Sequence, residues 1–122
     1  MLQMGNHMKL TVPLALRERV RTFYAGVCEC RPLDSPRPDL DLFEFSGGFV
    51  VGVFFTDDAA ALPEADHLKA AWLELKVDSV PAYRERLREF GVAELPYADT
   101  SRVYFQAPGG QVFRLAPLDG GI

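Results

Sequence analysis

The sequence predicts an α+β domain made of two tandem βαβββ halves whose strands form a curved mixed sheet with a concave cleft. Three observations carry this. Residues Leu10 to Phe49 are echoed by Leu75 to Gln111, each copy opening on an apolar strand pattern that ends in valine, Leu10-Thr11-Val12 and then Leu75-Lys76-Val77. Each pattern leads into a basic amphipathic helix, spelled Arg17-Glu18-Arg19-Val20-Arg21-Thr22-Phe23 in one half and Arg84-Glu85-Arg86-Leu87-Arg88-Glu89-Phe90 in the other. Each helix is followed by a glycine, a short strand and two strands joined at a Gly-Gly turn, Ser46-Gly47-Gly48 or Pro108-Gly109-Gly110. With 122 residues and 48% hydrophobic content, the chain can bury one core but not two independent ones. The repeat is therefore of half-domains within one domain, the first spanning about 7–57 and the second about 68–119.

The elements follow in order. Alternation predicts a first strand over Met8–Val12. Met8-Lys9 is also a second candidate start, which would put Met1–His7 ahead of the domain. Leu16, Val20, Phe23 and Tyr24 recur at helical spacing, so a helix is expected over Leu16–Ala25, with Gly26 placed to end it. A strand is expected at Val27–Cys30, a proline-rich loop over Arg31–Pro38, and strands at Leu40–Phe45 and Phe49–Phe55. The polar, alanine-rich stretch Thr56–His67 reads as the link between halves. The second half begins with a strand at Ala71–Val77. Its helix starts after Asp78-Ser79 with Pro81 in the first turn, carries Val80, Tyr83, Leu87 and Phe90 as its apolar stripe, and stops at Gly91. Strands at Ala93–Tyr97, Arg102–Gln106 and Gln111–Leu118 complete it.

Composition excludes several functions. A formal charge of -4 and a pI near 5.1 argue against a nucleic-acid surface, which needs a clustered basic excess. No apolar run approaches the ~18 residues of a membrane span, and the N-terminal stretch lacks a signal peptide's apolar core. A cytoplasmic protein is the expectation. Cys28 and Cys30, the only cysteines, stand two apart on an expected strand, too few for a zinc set and poorly placed to bridge each other. They are read as reduced, buried packing residues.

Strand alternation sorts the side chains by face. Leu10, Val12, Leu73, Leu75, Val77, Phe113 and Leu115 form the apolar set expected under the helices. The other face is mixed. It takes His7, Lys9 and Thr11 from the first strand, Val50, Gly52 and Phe54 from the fourth, Trp72, Glu74 and Lys76 from the fifth, and Val112, Arg114 and Ala116 from the last. A curved sheet with helices on its back presents that face to a ligand.

Two strand-helix-strand-strand-strand halves in tandem resemble the vicinal oxygen chelate superfamily, which includes glyoxalase I, extradiol dioxygenases and the bleomycin-resistance proteins. The resemblance covers nearly the whole chain. Its most specific pieces are Phe23-Tyr24 closing the first helix, Val77-Asp78 opening the second, and the turn Ala107-Pro108-Gly109-Gly110. The spacing from Val12-Pro13 to Phe23-Tyr24 is similar to that of a small glyoxalase-like bacterial subgroup. Enzymes of the superfamily hold a divalent metal with four side chains, one each from the first, fourth, fifth and eighth strands. The resemblance places these at His7, Gly52, Trp72 and Arg114, of which only His7 is a ligand. A fixed guanidinium at the ion's location would cost on the order of 4 kcal/mol per unit charge at contact distance.

The expectation is therefore a metal-free binder of a small organic ligand, anionic or antibiotic-like, with no cofactor. Trp72, Phe54 and Tyr104 would supply stacking area, Arg114 would pair an anionic group, and Lys9, Lys76 and Glu74 would set polarity. Each has a plainer reading. Glu74 and Arg114 pair equally well with one another, Trp72 equally well plugs the space beside Gly52, and of Tyr104 and Phe105 one faces the ligand and one the core. The alternative is a divalent-metal lyase, isomerase or dioxygenase with substitute ligands among His7, Glu44, Glu74 and His67, although His67 lies in the link, where a surface histidine is expected. The second alternative is a non-catalytic structural or interaction domain. Homodimers, which cover sheet edges and complete clefts in many relatives, are the expected assembly.

Overall fold

The computed structural model describes residues 1–121, with the side chain of Asp58 outside that description. Its strands divide into two mixed sheets, one in each of two compact units that meet at Leu62 and Pro63 in sequence.

The first unit runs from His7–Pro13 (β1) through a short 3-10 turn at Leu14–Leu16 into a helix, Arg17–Thr22 (α1), and then to Arg31–Leu33 (β2), Leu40–Glu44 (β3) and Val50–Thr56 (β4). The sheet order is β1-β4-β3-β2, with β1 parallel to β4 and the other pairs antiparallel. Register sets the faces. Leu10 opposes Val53 and Val12 opposes Phe55 on one face, with Phe43 opposite Val51, and all six are buried. Helical spacing brings Val20, Phe23 and Tyr24 into the same core, where the Tyr24 ring stacks on Phe43 at 5.3 Å. Asp41 opposes Val53 on that face, so both Arg17 and Arg21 of α1 reach its carboxylate, at 2.8 and 2.6 Å.

Four expectations change here. The first helix does not stop at Gly26: a wide π-helical turn carries it through Phe23–Val27, closed by Cys28 N–H donating to Phe23 at 3.1 Å. The left-handed residue that reverses the chain is Glu29, at φ +58°. That geometry uses up Val27–Cys30, which forms no strand; pairing starts at Arg31, inside the expected loop. Pro32 is tolerated because β2 is an edge strand, where a missing N–H costs no ladder bond. Finally, Asn6 and His7 belong to the sheet, since the Asn6 carbonyl accepts from Val50 N–H at 2.8 Å. Neither cysteine is in a disulfide; Cys30 is buried and Cys28 half-buried.

The link holds two 3-10 segments, Asp58–Ala60 and Glu64–Lys69. The second unit continues with Leu73–Val77 (β5), Val80–Phe90 (α2), Val103–Gln106 (β6) and Val112–Pro117 (β7) in the order β5-β7-β6. The signals around α2 act as read: the Ser79 hydroxyl accepts from Ala82 N–H, and Gly91 takes a left-handed φ of +99°. The expected strand Ala93–Tyr97 shrinks to one bridge, Glu94 to Phe105. Pro96 has no N–H to extend it. Phe105 stacks on Phe113 at 5.6 Å in a core with Leu115, Val103 and Leu87. Leu73 and Leu75, expected in that core, are only half-buried because β5 is an edge.

Both Gly-Gly turns form hairpins. Phe45 N–H donates to Phe49 at 2.8 Å, and Ala107 N–H to Gln111 at 2.8 Å, across glycines that all have positive φ.

Candidate functional site

Register places the expected ligand-facing residues in rows. In the second unit Glu74 opposes Arg114, and Arg114 opposes Tyr104, so the three form one row across β5, β7 and β6. Trp72 lies just before β5 at the row's edge. These residues line a pocket of about 320 Å³ with Leu73 and Tyr97, at the low end of the range of small-molecule sites. Its aromatic wall is continuous: Trp72 meets Tyr97 at 4.9 Å and Tyr104 at 5.6 Å, and the two tyrosines lie 4.7 Å apart. The choice between Tyr104 and Phe105 is thereby settled, with Tyr104 on the pocket and Phe105 in the core.

The polar groups beneath this wall are mutually engaged. Arg114 donates to Glu74 at 2.6 Å, and each side chain is 25% exposed. The Tyr104 oxygen and the Glu74 carboxylate together raise the Arg114 pKa and hold the guanidinium charged. Tyr104 donates its own proton to Asp99 at 2.8 Å. Asp99 also accepts from Ser101 N–H at 2.9 Å and the Ser101 hydroxyl at 2.5 Å, which lowers its carboxyl to about 2. Among the described lining residues, the charges of Glu74 and Arg114 cancel. The guanidinium expected to await an anion is already paired. Val112 and Ala116, expected on the ligand side with Arg114, are fully buried.

A β carbon at Gly52 would lie 3.4 Å from His7 Cε1 and Nε2 and 3.4 Å from Leu42, so the His7 imidazole fills that space. In the second unit Trp72 is held by its own indole N–H, which donates to the Leu68 carbonyl at 3.1 Å. In the first unit the matching row holds Lys9, Gly52 and Leu42, and Phe54 follows in the next row. Lys9 Nζ lies 4.9 Å from the Phe54 ring centre and the Arg37 guanidinium 5.6 Å from it. Lys76 turns away to donate to the Gly120 carbonyl at 2.8 Å.

The residues that the resemblance places at the metal positions do not fit a divalent ion. In the first unit His7 faces glycine, and in the second Trp72 and the paired Arg114 offer no lone pair. Among the described residues, no three His, Cys, Asp or Glu side chains converge as a metal-binding set. Each substitute candidate has its own surroundings within its unit: Glu44 pairs with Arg31 at 2.7 Å, Glu74 with Arg114, and His67 is buried against the second hairpin. The burial of His67 overturns the expectation of a surface histidine. Sequence reading missed Tyr97, Asp99 and Arg37. The Asp99-Thr100-Ser101 string signals a turn, whereas nothing local marks Tyr97, 51% exposed, as part of an aromatic wall.

No protein-family profile matches the sequence, and no curated protein sequence matches it. Solved structures do. One is described as a possible glyoxalase from Bacillus cereus, 19% identical with a TM-score of 0.67, over 93% of this chain and 98% of that one. Another is a variant of the fosfomycin resistance protein FosX from Listeria monocytogenes complexed with Mn(II) and 1S,2S-dihydroxypropylphosphonic acid. It is 17% identical, with a TM-score of 0.69 over 94% of this chain and 90% of that one. A third is TnmS3, an antibiotic binding protein from Streptomyces sp. CB03234, 21% identical with a TM-score of 0.61 over 96% and 98%. The likeness establishes for this chain the fold that these structures share.

Proposed function

We propose that this chain, which has the vicinal oxygen chelate fold, binds a small planar organic molecule without a metal. The ligand stacks on the wall formed by Trp72, Tyr97 and Tyr104, and the Glu74–Arg114–Tyr104 row orients it. The observation that carries this reading is the Arg114–Glu74 ion pair at a position where the fold's enzymes place a metal ligand. An uncharged ligand is favoured over the anion expected from sequence, because displacing Glu74 would strand one charge of a half-buried pair. Lys9 and Phe54 remain proposed ligand contacts of the first unit. The antibiotic-binding neighbour supports a protective role, and the Mn(II) complex of FosX supports the rival reading, a metal-dependent lyase or dioxygenase. A cytoplasmic setting, in which both thiols stay reduced, is part of the proposal. The edge strands of each sheet support a homodimer, which light scattering reads directly.

The test is a panel of uncharged, cationic and anionic planar compounds, screened by thermal shift and by Trp72 fluorescence with and without a chelator. Trp72 is the chain's one tryptophan, so its emission reports the wall. A binder raises the melting temperature and perturbs that emission equally in both conditions. Loss of binding on chelation would establish the metal reading. Silence across the panel would establish the scaffold reading, in which the three rings pack only on each other.

A further inference from the structure

The segment Glu64–Lys69 is tied to both the second hairpin and the aromatic wall. Gln106 Nε2 donates to the Glu64 carbonyl at 2.6 Å and to the Gly110 carbonyl at 2.9 Å. Beside that clamp lies His67, 7% exposed. Its ring occupies the space where Gly110 lacks a side chain: a β carbon there would sit 2.2 Å from His67 Cδ2 and 2.9 Å from Nε2. One residue on, the Leu68 carbonyl holds the Trp72 indole. The hairpin, the histidine, the turn and the tryptophan thus form one mechanical series.

His67 Nε2 is buried and has no hydrogen-bond partner. A second proton on the ring would place a charge and an unmatched N–H in that space, at the cost of a buried unsatisfied donor. The groups around it offer little relief. Glu64 and Asp66, on its own turn, favour the charged form, but burial outweighs them and moves the His67 pKa below the ordinary 6.5. The hairpin residues 107–111 and the segment 70–72 carry no titratable side chain, and Gln106 is neutral.

We infer that His67 is a positioning residue for the ligand wall: neutral, it seats the Glu64–Lys69 turn on the Gly110 hairpin and so fixes Trp72, and protonated, it releases the turn and the tryptophan with it. The sign follows from linkage. A histidine whose pKa falls on folding contributes stability above about pH 6.5 that is lost as the pH drops towards its folded value. Ligand release at mildly acid pH is the functional consequence. That consequence rests on the proposed binding wall, but the movement of Trp72 does not.

The experiment follows Trp72 emission of the unliganded protein from pH 7.5 to 4.5, with far-UV circular dichroism alongside. The expected result is a reversible one-proton shift of the emission to longer wavelength, with its midpoint below 6.5 and the circular dichroism unchanged. His67→Phe keeps a ring on Gly110 without a titrating nitrogen and should leave the emission flat. A flat wild-type profile, a transition that persists in His67→Phe, or global unfolding at the same midpoint would each overturn the inference. Should His67→Phe fold poorly, imidazole NMR of the wild-type chain decides instead, with His7→Gln assigning the two histidines. A His67 midpoint matching the Trp72 midpoint supports the inference, and a mismatch refutes it. No ligand enters these measurements, so a failed ligand panel and a failed switch are distinguishable.

Discussion

Gly48 and Gly110 occupy the same place in the two hairpins, and replacing each with alanine separates backbone strain from packing. Both have positive φ, +98° and +117°, so either alanine incurs strain of about 2 kcal/mol. At Gly48 nothing lies within 4 Å of the new β carbon, and the strain is the whole cost. At Gly110 the methyl meets the His67 ring at 2.2 Å, well inside van der Waals contact. Forcing the ring off adds an overpacking cost of about 2 kcal/mol, for a total near 4 kcal/mol. Urea unfolding followed by circular dichroism measures both losses. In the Gly110→Ala background, a further His67→Ala change should recover part of the loss, a coupling that Gly48→Ala should not show. Equal losses at the two glycines, or no coupling to His67, would refute the placement of that ring and with it the mechanical series from hairpin to Trp72.

Three further outcomes are expected. The Asp99 carboxyl should titrate near 2 by carbon NMR; as a depressed carboxylate its stabilising contribution holds above about 3.8 and fades as the pH falls through about 2. A midpoint near 3.8 would mean that Asp99 accepts neither the two Ser101 bonds nor the Tyr104 hydroxyl. The Cys30 thiol, pushed up to about 12 by burial, should react with a thiol reagent at pH 8 only on unfolding, and rapid labelling of Cys30 in the native chain would contradict its burial. Glu74→Gln should free the Arg114 guanidinium and improve binding of a planar carboxylate over its amide analogue by about tenfold, read by Trp72 fluorescence. A wild-type chain that already prefers the carboxylate, unchanged by the substitution, would show that Glu74 does not neutralise Arg114.

Much of the fold is legible in the sequence because its determinants are local. Ser79, Pro81 and Gly91 bound α2 through hydrogen bonds and dihedral preferences within a few residues of each end, and both Gly-Gly hairpins follow from positive φ alone. The first helix is less legible. Its stop depends on a π-helical turn and a left-handed Glu29, and no residue preference announces either. The candidate site divides the same way. Glu74 and Arg114 share a face by strand alternation, which allows their pairing as one of two readings, and the structure supplies the 2.6 Å bond between them. Tyr97, by contrast, reaches Trp72 only because the segment expected as a strand breaks at Pro96. A place in the link predicts an exposed His67, whereas its burial comes from Gly110, 43 residues away in sequence.

The central proposal, that a paired guanidinium stands at the position the resemblance assigns to a metal ligand, is tested most directly by metal content. Protein purified without chelator, incubated with Mn(II), Ni(II), Zn(II) or Fe(II) and then desalted, should retain well under one ion per chain by plasma mass spectrometry. One tightly held ion per chain, lost on His7→Ala, would contradict it.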